Sequence, residues 1–129
     1  MIDVYPDEVP SNPSMGGYQL AISLDILRGR YRSSFENPQA IPAGKVQEYK
    51  FRLPTVNHVF QPGHRIMIQV QSTLFPLYDR NPQTYVPNIF FAKPGDYKKA
   101  TVTIERGGKS ASAVWLPVVP VDQSAAMAR

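Results

Sequence analysis

The sequence predicts an all-β fold, an antiparallel β-sandwich of jelly-roll type. Three observations predict it. Apolar and polar residues alternate along several short segments, which is the period of a half-buried strand. The 129 residues include 13 prolines, spread between those segments, and proline punctuates sheets and loops rather than helices. No segment carries the three-to-four-residue apolar spacing of an amphipathic helix. The length suits one domain with a real core, placed at residues 1–120, followed by a small, polar, fraying tail at 121–129. About six strands joined by long Pro-rich connections suit a sandwich. The strand count alone leaves a jelly roll and an immunoglobulin-like sandwich both open.

Taken in order, the chain starts on a strand, Met1-Ile2-Asp3-Val4-Tyr5, with no polar lead-in. That abrupt start predicts a fragment of a larger protein with its first strand truncated. Residues 6–17 form a loop rich in Pro, Asn, Ser and Gly. Tyr18, Leu20, Ile22, Leu24 and Ile26 then alternate with Gln19, Ala21, Ser23 and Asp25, predicting a long strand that continues through Arg28 to Arg32. Gly29 within it signals a bulge or a close backbone approach. A second loop spans 33–44. Tyr49, Phe51 and Leu53 mark the next strand, stopped by Pro54. Pro62-Gly63 predicts a turn, after which Ile66, Ile68 and Val70 alternate with Met67, Gln69 and Gln71. Pro76 ends that strand, and Lys93-Pro94-Gly95-Asp96 predicts another turn. Ala100, Val102 and Ile104 form a further strand, and residues 106–109 a tight hairpin turn. The last strand covers 112–119, with Val114, Leu116 and Val118 on one face and Trp115 on the other.

Composition excludes several function classes. The net charge of +4 comes from basic residues scattered among acidic ones, not from the concentrated basic stripe with stacking aromatics that nucleic acid requires. With no cysteine, thiol catalysis, disulfides and thiolate metal sites are out of reach. No apolar run approaches the roughly 20 residues of a membrane helix. The acidic N-terminus lacks the apolar region of a signal peptide. The compartment stays open, cytoplasmic or exported.

The chemistry-bearing residues are few. His58 and His64 are either a metal pair or catalytic base, or turn and strand-entry histidines bonded to backbone. No cysteine or acidic cluster lies beside them in sequence, which favours the second reading and predicts no metal and no cofactor. A strained nucleophile turn of the G-x-S-x-G kind is absent, so no catalytic residue is assigned in this chain. The most site-like stretch is Phe75, Leu77, Tyr78, Asp79, Arg80 and Asn81, a Pro-stiffened aromatic loop with adjacent opposite charges. It is expected to form a domain interface or the rim of a cleft. The plainer alternative has Asp79 capping the following turn and Arg80 paired with a carboxylate. Asp25, Arg28 and Arg30 are most simply a solvated strand face.

In combination, IDVYPDE, MGGYQL, LRGRYRSSFENP, HVFQPGHRIMIQVQS, FPLYDRNPQT and VWLPVVP resemble one family along nearly the whole chain. It is similar to the C-terminal, non-catalytic domain of the Xaa-Pro dipeptidyl-peptidase and cocaine-esterase type of serine hydrolases, nearest to the glutaryl-7-aminocephalosporanic-acid acylase and α-amino-acid ester hydrolase branch. The resemblance implies a jelly roll packed on an α/β-hydrolase catalytic domain of the same polypeptide, with a helical cap and contacts between copies. It implies that the Ser, Asp and His of the triad all lie in the hydrolase domain, so none maps onto this sequence. The parent would cleave esters or amides through an acyl-enzyme. An independent carbohydrate-binding module, presenting several aromatics on one face, is the alternative.

Overall fold

The computed structural model describes residues 1–119. Its regular framework is one three-stranded antiparallel sheet in the order β2-β1-β3. The strands are β1 (Ile2–Val4), β2 (Gln19–Ala21) and β3 (Arg65–Met67). The N-terminal strand is therefore the middle one. Asp3 stands opposite Leu20 on one side and Ile66 on the other. Pairing between β1 and β2 runs past the ladder, because Tyr5 N–H donates to the Tyr18 carbonyl and Ile22 N–H donates to the Met1 carbonyl. The intervening loop is closed at its base by Gly17 N–H, bonded to the Pro6 carbonyl at 2.8 Å. No α-helix occurs among the described residues, where the remaining regular structure is five short 3-10 turns. The fold class is all-β, as the alternation predicts.

The turns fall where proline and glycine put them. Pro62-Gly63 closes through His64 N–H to the Gln61 carbonyl at 3.1 Å. Gly63 adopts φ +83°, a left-handed conformation that glycine reaches without a Cβ penalty. This turn aims His64 and the start of β3. Residues 93–96 close on themselves: Lys93 N–H donates to the Asp96 carboxylate, and Asp96 N–H donates back to the Lys93 carbonyl.

The strands are shorter than the alternation predicts. The strands end at Ala21 and Met67, and residues 48–53, 100–104 and 112–119 carry no ladder. The expected continuation through Arg28 to Arg32 instead winds into a 3-10 turn, Gly29–Tyr31. Alternation records which side chains seek cover. A ladder additionally needs a hydrogen-bonded neighbour about 4.8 Å away, and these segments lack one. Gly29 does mark a close approach: a Cβ there would sit 2.6 Å from Ile41 Cδ1 and 3.3 Å from the Tyr49 ring. The expected hairpin at 106–109 becomes a 3-10 turn, Gly108–Ser110, bridged by Ser112 N–H to the Glu105 carbonyl. The tail at 121–129 lies outside the described residues.

The most buried apolar side chains are Val4 in β1 and Val86. Leu20 and Ile22 are half-buried, as their shared face predicts, whereas Tyr18, Leu24, Ile26, Ile66, Ile68 and Val70 are exposed. Among the described residues no helix is long and apolar enough to cross a membrane.

The loop before β2 leaves one glycine no room. A Cβ at Gly16 would stand 2.5 Å from the Asp7 carbonyl oxygen, whereas one at Gly95 meets nothing within 4 Å. Gly16→Ala is therefore expected to cost about 1–3 kcal/mol, as overpacking against backbone does. Gly95→Ala should stay within about 0.5 kcal/mol. Chemical-denaturation midpoints of the two variants check the contrast.

Candidate functional site

The loop 75–81 is held from both ends. At its start, Phe75 N–H donates to Thr73 Oγ1, the Phe75–Pro76 peptide is cis, and Tyr78 N–H donates to the Leu74 carbonyl at 3.0 Å. At its end, Asn81 donates Nδ2–H to the Ser72 carbonyl and accepts Gln83 N–H at Oδ1. That second bond is an Asx-type turn, and it supports Gln83 at φ 60°. The capping role expected of Asp79 thus belongs to Asn81. Arg80 pairs with no carboxylate among the described residues. Its guanidinium lies 4.7 Å from the centroid of the Tyr97 ring, a cation–π contact. Lys98 N–H to the Pro82 carbonyl ties the same two segments together. Tyr78 is half-buried, while Phe75 is 66% exposed and Leu77 65%. A pinned backbone therefore presents two bare apolar side chains and a fixed cation.

The second assembly was hidden from the sequence. Asp3, only 1% exposed, stands between both histidines. His58 Nε2 lies 2.8 Å from Oδ2, and His64 Nδ1 lies 2.9 Å from Oδ1. Burial pushes the Asp3 carboxyl up, but hydrogen bonds from His58 and His64, with their charges, outweigh it and hold the group below the ordinary aspartate value. An ionised carboxylate can only accept, so each imidazole must turn an N–H toward it: Nε2–H from His58 and Nδ1–H from His64. Aromatic packing fixes both rings. His64 lies 4.3 Å from the Tyr5 ring, and His58 meets Phe60 edge-on at 4.9 Å. The expectation of backbone-bonded histidines is corrected: both bond a side chain on the central strand. The carboxylate occupies the centre of the trio, so the two bonding nitrogens address separate oxygens rather than one common point. Chemically this is a staple joining β1 to the segment that enters β3.

With this geometry in view, the comparisons with known proteins are specific. The family model described as the X-Pro dipeptidyl-peptidase C-terminal non-catalytic domain matches residues 1–114. The chain belongs to that family. Cocaine esterase of Rhodococcus sp. (strain MB1 Bresler) is 42% identical over 84 residues, which covers 65% of this chain and 13% of the esterase. A solved α-amino acid ester hydrolase, labelled with selenomethionine, is similar with a TM-score of 0.71 at 68% identity, covering 75% of this chain and 16% of that one. An aminopeptidase from the marine sediment archaeon Thaumarchaeota archaeon gives a TM-score of 0.70 at 62% identity over the same two shares, 75% and 16%. The chain thus spans a small part of each relative's length. The resemblance carried by the combined motifs is borne out.

Asp3→Ala should destabilise the domain by about 3 kcal/mol, since it strands two imidazole donors and a packed site. Asp3→Asn should cost less, because its amide still accepts from one ring. Urea unfolding at neutral pH measures both. The pH dependence has a fixed sign. The folded-state pKa of Asp3 is depressed, so its contribution is complete above the unfolded value of about 3.9 and drains away as pH falls through the lower folded value. Asp3→Asn should accordingly flatten the acid limb of a stability-against-pH curve and leave its neutral limb parallel.

Proposed function

We propose that this chain is the accessory β-sandwich domain of a serine acyl hydrolase, braced against an α/β-hydrolase catalytic domain in the same polypeptide. The match of residues 1–114 to a non-catalytic domain family carries the reading. The names of the relatives, an esterase, an ester hydrolase and an aminopeptidase, support ester or amide hydrolysis as the parent's chemistry. In the completed domain, the alternating segments 48–53, 100–104 and 112–119 supply the further strands of a jelly roll. Phe75, Leu77, Tyr78, Asp79, Arg80 and Asn81 form the contact with the catalytic domain or the rim of its cleft. Their geometry suits that role. The loop is rigid before binding, through Asn81 and the Arg80–Tyr97 contact, so little conformational entropy is lost on docking. Its bare apolar side chains supply the area to bury.

In the full-length parent enzyme, Phe75→Ser and Arg80→Glu are expected to lower kcat/KM against a chromogenic acyl ester by about tenfold, about 1.4 kcal/mol. Each should also separate a single thermal transition into two. Wild-type kinetics with a single wild-type transition would remove loop 75–81 from the interface.

A further inference from the structure

A second prepared surface shares no lining residue with loop 75–81. Arg28, Arg30, Tyr31, Asn88, Ile89 and Phe90 line a cleft of about 240 Å³. Its two cations are held in place. Arg30 donates Nη1–H to the Val86 carbonyl at 2.8 Å, and its guanidinium lies 4.5 Å from the Tyr85 ring. Both guanidiniums also lean on the Tyr31 ring, Arg30 at 5.7 Å and Arg28 at 5.8 Å. Arg30 Nε is buried without a hydrogen-bond partner, and neither arginine has a carboxylate among the described residues. Asp25 and Arg28 are exposed, as a solvated face requires, whereas Arg30 is half-buried. Two like charges sharing one aromatic ring, one of them with an unmet donor, leave positive potential unneutralised. Beside them Phe90 lines the cleft and is 73% exposed, and the next residue, Phe91, is 80% exposed. Asn88 accepts Phe90 N–H at 2.9 Å.

We propose that this cleft receives a carboxylate side chain flanked by apolar residues, presented by the catalytic portion of the parent polypeptide. The proposal rests on the accessory-domain reading above and adds a second contact to it. Charge complementarity chooses the occupant, since a planar guanidinium fork matches a carboxylate and its stacked geometry is already set. The aromatic pair alongside would cover the apolar neighbours of that carboxylate.

The test uses the full-length parent. Arg28→Lys places an amine at the cleft, and a water-soluble carbodiimide joins an amine to a carboxylate in contact with it. The expected product links the introduced amine to an Asp or Glu outside residues 1–129. In parallel, Arg28→Glu is expected to speed amide exchange at residues 28–31 and 89–91 at least fivefold. The proposal stands only if both results appear. A link confined to carboxylates of this domain or to a second copy, no link, or unchanged exchange overturns it. If Arg28→Glu is silent while Arg80→Glu still lowers activity, the cleft assignment alone fails. If both variants leave activity and melting unchanged, the accessory-domain reading fails too.

Discussion

The buried carboxylate of Asp3 is the constraint on which the rest of the structure depends. A charge 1% exposed is tolerated only when both oxygens are bonded, because the desolvation cost of an unpaired ion is several kcal/mol. That requirement dictates the path of a distant segment. His58 must arrive with Nε2, the chain must advance and reverse at Pro62-Gly63, and His64 must return with Nδ1. Because β1 is the central strand, its two ladders inherit the position so fixed. β3 begins one residue after His64, and β2 pairs on the opposite edge. Electrostatics thus sets register in a sheet whose strands are too short to set it by apolar alternation alone.

Outside that sheet, side chains substitute for ladders. Backbone carbonyls in irregular segments still need donors, and long polar side chains supply them. Arg32 alone donates to the Gly29, Gln39 and Ala40 carbonyls, which closes the second loop onto its own stem. Ser23, 5% exposed, donates Oγ–H to the Pro54 carbonyl at 3.0 Å and so ties the strip after β2 to the end of residues 48–53. Tyr85 reaches the Pro38 carbonyl. Each bond adds about 1 kcal/mol net. Their larger effect is specificity, because each joins segments that no ladder connects.

What was legible in the sequence was local. Turn positions follow from proline and glycine chemistry, and the period-two segments give the all-β class, since both signals act within a few residues. The staple was illegible because its members lie 55 and 61 residues apart and no periodicity couples them. In the sequence Asp3 is one polar position in a strand, and nothing adjacent to either histidine points to it. The loop 75–81 shows the same division. Its stiffness could be read from Pro76 and Pro82, but its partners could not. Arg80 meets Tyr97 across the following connection rather than Asp79 beside it, because adjacent side chains on an extended backbone point to opposite sides. Strand extent differs from the alternation for a related reason: alternation describes one segment, whereas pairing is a property of two.

The distribution of polar and apolar surface carries the final step. Asp3 places a carboxylate in the interior, bonded by His58 and His64, while Phe35, Trp115 and Val118, each at least 80% exposed, place apolar area outside. Exposed apolar surface on that scale marks a contact to be covered, and the chain spans 13–16% of its relatives' lengths. Its central strand is held by hydrogen bonds between Asp3 and the two histidines rather than by that surface. Loop 75–81 is pinned and ordered before any contact forms, so the free energy of a contact is not consumed in ordering it.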